Sequence, residues 1–147
     1  MNFDWSSYLD LARELGGRPE QAAQRTSVSR AYYSAFHAAS GSIQVNGVST
    51  NPKFNGHPHK AVWSVYGSSV RSECKKIAVY GFRLRDARVQ ADYDAARDVC
   101  ADQVRRSLRD AQSIVEDVAL CVPEGFTATR AGRLQSLVRA ARRLFVK

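Results

Sequence analysis

The run Ser29-Arg30-Ala31-Tyr32-Tyr33-Ser34-Ala35-Phe36-His37-Ala38-Ala39 holds the side chains best suited to chemistry. On an α-helix advancing about 100° per residue, seven positions return nearly to the same angle, so Arg30 and His37 share one face two turns apart. Tyr33 and Ser34 fall between them. Against the apolar stripe of Val28, Tyr32, Ala35 and Ala39, this makes a polar ridge with a permanent cation, a hydroxyl and a group that titrates near neutrality. Such a set can cut RNA without a metal. A histidine takes the proton of a ribose 2′-hydroxyl or returns one to the departing 5′-oxygen, while an arginine steadies the charge on the crowded phosphorus. The same spacing also fits a plain polar helix face carrying a hydrogen-bonded histidine.

The elements that must position these groups are helices almost throughout, because apolar residues recur at threes and fours and no stretch alternates as a strand does. A first helix is expected from about Trp5 to Leu15, with Tyr8, Leu11, Ala12 and Leu15 on one side, ended by Gly16-Gly17. Pro19 suits the first turn of a second helix reaching about Ser42. The polar segment from Asn46 to Pro58 is a loop. A short helix over His59–Tyr66 follows, then one from about Ser72 to Asp92, which Gly81 weakens without forbidding. From near Asp94, Val104, Leu108, Ala111, Val115, Val118 and Val122 form a seam ended by Pro123 and Gly125. A last helix is expected from about Ala128 to Phe145. The fold class is all-α: an antiparallel bundle of four to five helices over residues 1–127, plus a basic amphipathic helix over residues 128–147 packed on the bundle or on a second subunit.

Length and composition set the limits. A chain of 147 residues makes one domain, and 44% hydrophobic with 10% aromatic residues is too apolar for a disordered tail. The formal net charge of +8 calls for an anionic partner, nucleic acid first. The excess is uneven, since residues 128–147 carry Arg130, Arg133, Arg139, Arg142, Arg143 and Lys147 and no acid. These six are expected to meet RNA phosphates while the leucines of the same helix pack; a membrane-surface helix is the alternative. No signal-like leader and no apolar run long enough to span a bilayer occur, so a cytoplasmic protein with no membrane contact is expected. Cys74, Cys100 and Cys121 are odd in number and widely spaced, with no Cys-x-x-Cys, so reduced thiols are expected. His57 and His59 form a His-x-His interrupted by Pro58, with no nearby acidic or cysteine ligand, and no metal is expected there. No cofactor motif is present.

The segment Ser29 to Ala39 resembles the signature helix of the HEPN domains (higher eukaryotes and prokaryotes nucleotide-binding). Leu84-Arg85-Asp86-Ala87-Arg88-Val89-Gln90-Ala91-Asp92-Tyr93-Asp94 is similar to the second block of that family, in which an Arg-rich turn leads to Ala-Asp-Tyr, and His59-Lys60-Ala61-Val62-Trp63 resembles its middle helix. The likeness covers roughly residues 5–120 and implies a bundle of four or five helices, usually dimeric. It is found in toxin–antitoxin, CRISPR-associated and other prokaryotic defence systems, and many members are metal-independent endoribonucleases.

The resemblance implies Arg30 and His37, separated by six residues, as the catalytic pair. Two such pairs would face each other across the cleft of a homodimer. Tyr33 and Ser34 would support them, with Arg88, Asp92 and Tyr93 of the second block as a wall. In this second block an aspartate stands where some relatives carry a histidine, and an ordinary Arg88–Asp92 ion pair is the plain reading. Ala31 follows the arginine where catalytic members often carry a polar residue. Two functions stay open: an endoribonuclease in a toxin or defence setting, and a non-catalytic RNA- or nucleotide-binding module acting as a sensor, antitoxin or assembly partner. A cognate antitoxin, a nucleotidyltransferase or another defence-system protein is the kind of partner implied.

Overall fold

The computed structural model describes residues 3–126, so the expected basic terminal helix, with Arg130, Arg133, Arg139, Arg142, Arg143 and Lys147, lies outside the described residues. Five α-helices make an all-α bundle: α1 (Ser7–Gly16), α2 (Gln21–Val45), α3 (Pro58–Gly67), α4 (Ser72–Tyr93) and α5 (Ala101–Asp117). A single 3₁₀ turn, Pro52–Phe54, interrupts the loop before α3. No described helix is long and apolar enough to cross a membrane.

The long helix α2 is the axis, touching α1, α3, α4 and α5. Its expected stripe is the core: Val28, Tyr32, Ala35 and Ala39 are fully buried. Trp63 and Tyr66 of α3, Ile77 and Leu84 of α4 and Ile114 of α5 close over it. Each large apolar side chain so buried contributes about 1.5–3 kcal/mol, so helices of indifferent propensity are held by this shared interior.

Two glycines act through space rather than through backbone freedom. Gly16 does not adopt the left-handed conformation that a glycine helix stop implies, since the positive-φ glycines are Gly47, Gly56 and Gly125. A Cβ there would lie 2.9 Å from Val104 and 3.0 Å from the Ser27 hydroxyl, so Gly16 lets the end of α1 settle on α2 and α5. Gly81 of α4 lies flat under the Trp63 indole, where a Cβ would come within 2.2 Å of the ring. The residue that weakens α4 in isolation is what lets α3 dock.

Two sequence expectations are corrected. The fifth helix begins at Ala101, not near Asp94. Residues between form a turn and a short non-helical run held by α2: Arg25 donates to the carbonyls of Ala91 (2.8 Å), Asp94 (3.0 Å) and Arg97, and Gln21 both donates to the Val99 carbonyl and accepts its N–H, each at 2.9 Å. Cys74 and Cys121 are not thiols but a disulfide, with Cα atoms 5.9 Å apart. The start of α4 and the segment after α5 meet in space although 47 residues separate them, which spacing alone could not reveal. Cys100 is free and exposed.

Candidate active site

The polar ridge of α2 is real but more aromatic than its sequence suggests. The Arg30 guanidinium rests over the rings of Tyr8 at 4.8 Å and Tyr33 at 5.7 Å. It forms no ion pair among the described residues, and its Nε is buried without a hydrogen-bond partner. Cation–π contact is worth about 0.5–2 kcal/mol, which anchors the group without neutralising it.

His37 lies under Trp5, ring on ring at 3.5 Å and 11°, with Phe36 at 5.4 Å and Tyr33 at 6.3 Å. Desolvation by these neighbours pushes the imidazole below its usual range, toward the neutral form. Arg30 and His37 therefore share Tyr33 as a common neighbour, as the i, i+7 spacing implies. Ser34 does not join them, contrary to expectation. It is 1% exposed, turned into the bundle, and its hydroxyl has no partner.

The second block meets this ridge directly. Arg88 of α4 donates through Nη2 to the Tyr33 hydroxyl, and its guanidinium faces the rings of Tyr33 at 5.1 Å, Tyr93 at 5.4 Å and Tyr32 at 5.9 Å. Asp92 lies one turn on, its Oδ2 2.9 Å from Arg88 Nε, as the i, i+4 spacing predicts. The contact is an ion pair more than an aligned hydrogen bond, since that N–H does not point along it. The same carboxylate oxygen accepts from the Ser29 hydroxyl at 3.2 Å, tying α4 to α2. Tyr93 closes the row and is 72% exposed.

One group was missed. His59, read in the sequence as half of a His-x-His and as the start of the segment like the family's middle helix, stands at the second position of α3 with Nδ1 2.7 Å from the buried Tyr32 hydroxyl. Its ring lies 4.4 Å from Phe36 and 6.2 Å from Tyr33, so both histidines flank the same two aromatic side chains. Burial pushes its imidazole toward the neutral form, and Arg88, Arg85 and His37 act in the same direction. A signal existed: His59 and Trp63 are four apart, so the face that buries the indole also turns the imidazole toward α2.

Around this cluster Arg30 and Arg88 meet the single carboxylate of Asp92, while Arg85 pairs with Asp86 at 3.2 Å, and among the described residues no group of three or more His, Cys, Asp or Glu could hold a metal. Cations, phenols and imidazoles in such a ratio fit an anion. No family model, curated protein or solved structure matches the chain.

Proposed function

We propose that this chain is a metal-independent endoribonuclease of the HEPN kind, working in the cytoplasm within a toxin or defence system. The observation that carries the proposal is the convergence of Arg30, His37 and Arg88 on Tyr33, a cationic and titratable cluster with one carboxylate among them. His37, biased toward the neutral form, takes the 2′-hydroxyl proton. The 2′-oxygen bonds to phosphorus, the bond from phosphorus to O5′ breaks, and the proton is returned to O5′, leaving a 2′,3′-cyclic phosphate and a 5′-hydroxyl. Arg30 stabilises the charge on the five-coordinate phosphorus. A homodimer would set two such pairs across one groove. The basic residues from Arg130 to Lys147 would supply non-specific phosphate affinity.

One observation favours a second reading. Trp5 covers a face of His37 and Arg30 is sandwiched by tyrosines, so the same groups could serve as a stacking platform that binds RNA without cutting it.

Incubation with single-stranded RNA in EDTA separates the two. Cleavage to cyclic phosphate ends is expected, with His37→Ala and Arg30→Ala each losing about a hundredfold or more in rate while retaining the helical circular dichroism signal. Binding without cleavage would establish the platform instead. Cleavage that EDTA abolishes, or that both variants keep, would refute the assignment.

A further inference from the structure

The Tyr32–His59 pair has no part in the mechanism above, and its geometry bears on the protonation of the ring. The Tyr32 hydroxyl is embedded between α2 and α3, and the hydrogen bond it makes is to His59 Nδ1, at 2.7 Å. Trp63 Nε1 is also near, but an indole N–H only donates and this one is itself unpartnered. The contact fits either tautomer, and the arrangement that leaves no buried O–H without an acceptor has Tyr32 donating and Nδ1 accepting. The neutral ring must then carry its proton on Nε2.

We propose that His59 binds the phosphodiester as a fixed, neutral hydrogen-bond donor. Its Nε2–H is offered to a non-bridging phosphate oxygen beside Arg88, and Tyr32 is the positioning residue that holds the tautomer. The inference rests on the ribonucleic acid substrate proposed above and adds a second phosphate contact to it.

Four features fit this assignment. The lone pair of Nδ1 is occupied by Tyr32, so His59 cannot share the proton-accepting role of His37 through that atom. Desolvation and the cations Arg88 and Arg85 disfavour the imidazolium, so the neutral ring dominates near pH 7. Tyr32 itself, pushed up to about 12 chiefly by burial, stays a phenol and keeps donating. Finally, Nε2 makes no hydrogen bond among the described residues, and His59 stands in the first turn of α3, where free backbone N–H groups also favour an anion. A preorganised donor needs no rearrangement as negative charge builds on the phosphorane oxygens.

The test uses fluorescein-labelled 2′-O-methyl RNA, which offers phosphodiesters but no attacking hydroxyl, so binding is read apart from cleavage. His59→Ala should weaken binding about tenfold, whereas His59→Gln, whose amide N–H can stand near the Nε2 position, should recover most of the loss. Long-range ¹H–¹⁵N spectra at pH 7.5 should show His59 protonated on Nε2 alone, and Tyr32→Phe should mix the tautomers while keeping the fold. Protonation on Nδ1, a doubly protonated ring, or equal binding by wild type and His59→Ala would each overturn the inference. So would failure of wild type to bind this RNA. The ribonuclease reading fails separately: binding that depends on His59 with natural RNA left uncut sinks that reading alone, and His37-dependent cutting with indifferent His59 variants sinks this one alone. Should His59→Ala not fold, the Gln and Tyr32→Phe arms still decide the matter.

Discussion

Two charged regions of this bundle treat their arginines in opposite ways. Along the α4–α5 seam, Arg83 forks onto the buried Asp110 carboxylate through two hydrogen bonds, 2.6 and 2.5 Å, and at the connection between these helices Arg25 of α2 is engaged by three backbone carbonyls. The groove of about 630 Å³ between these helices contains that satisfied pair. Where α2 meets α1, Arg30 lies on the rings of Tyr8 and Tyr33 with no anion, and along the same helix, toward α3 and α4, two neutral-leaning histidines have no carboxylate bonded to them. A bidentate carboxylate satisfies a guanidinium and fixes two helices, whereas an aromatic face orients it and leaves its N–H groups unused. Unused donors beside a titratable group fit the anionic ligand proposed above. Arg83, Asp110 and Arg25 serve the fold, whereas Arg30 has no anionic partner among the described residues.

The largest expected effect tests the structural half of that contrast. The Cys74–Cys121 disulfide encloses a loop spanning 47 positions, for which chain-entropy reasoning gives about 4 kcal/mol. Urea unfolding with and without dithiothreitol should show a fall of that order, and Cys74→Ser should mimic the reduced protein. Because disulfides are rare in reducing compartments, the reduced form is the one relevant to a cytoplasmic role. The RNA cleavage proposed for Arg30 and His37 should persist in it once folded. An unchanged midpoint on reduction would mean that the two sulfurs do not bond in solution.

Gly81→Ala comes next and probes whether the two regions are coupled. The new methyl would meet the Trp63 ring at 2.2 Å, so α3 must shift or tilt at a cost of about 1–3 kcal/mol. Trp63 lies in ring contact with Tyr32 and Phe36, and His59 is one turn before it. The substitution should therefore lower stability and also disturb the His59 resonances, although it touches no cleft residue. A destabilised protein with unmoved His59 signals would show the cleft to be independent of helix docking.

Local periodicity made much of this legible. The stripe on α2, the span of α4 and the i, i+4 placement of Arg88 and Asp92 follow from 3.6-residue spacing, and the structure has them. Long-range partners did the rest. The segment before α5 reads as helix until Arg25 and Gln21, on another element, claim its backbone groups. Ser34 reads as part of a polar ridge, yet a serine is small enough to turn into a tightly packed interior. The disulfide needs two helix ends to meet, and the role of His59 depends on a hydroxyl contributed by a different helix. Each of these is a tertiary fact, and each concerns a residue whose local neighbours say little.

The smallest expected effect concerns pH and the cleft alone. His37 is held below the usual imidazole range by desolvation, and His59 by desolvation, then Arg88, Arg85 and His37. In the unfolded chain both titrate near 6.5. Above that value both states are neutral and neither histidine contributes. As pH falls through about 6.5 the unfolded chain takes up protons that the folded protein refuses, so stability must decline until the lower folded values are reached. The thermal midpoint should thus drop on acidification from neutrality, before the bulk of the carboxylates titrate. The combined His37→Ala and His59→Ala variant should show a flatter slope over that window. Arg83→Gln is the matching change in the seam. It leaves the buried Asp110 carboxylate without its cation, so it should lower the midpoint at neutral pH, where the histidines contribute nothing. If the double histidine variant kept the wild-type slope, the cleft imidazoles would not be the strained groups, and the contrast between satisfied seam and waiting cleft would lose its electrostatic basis.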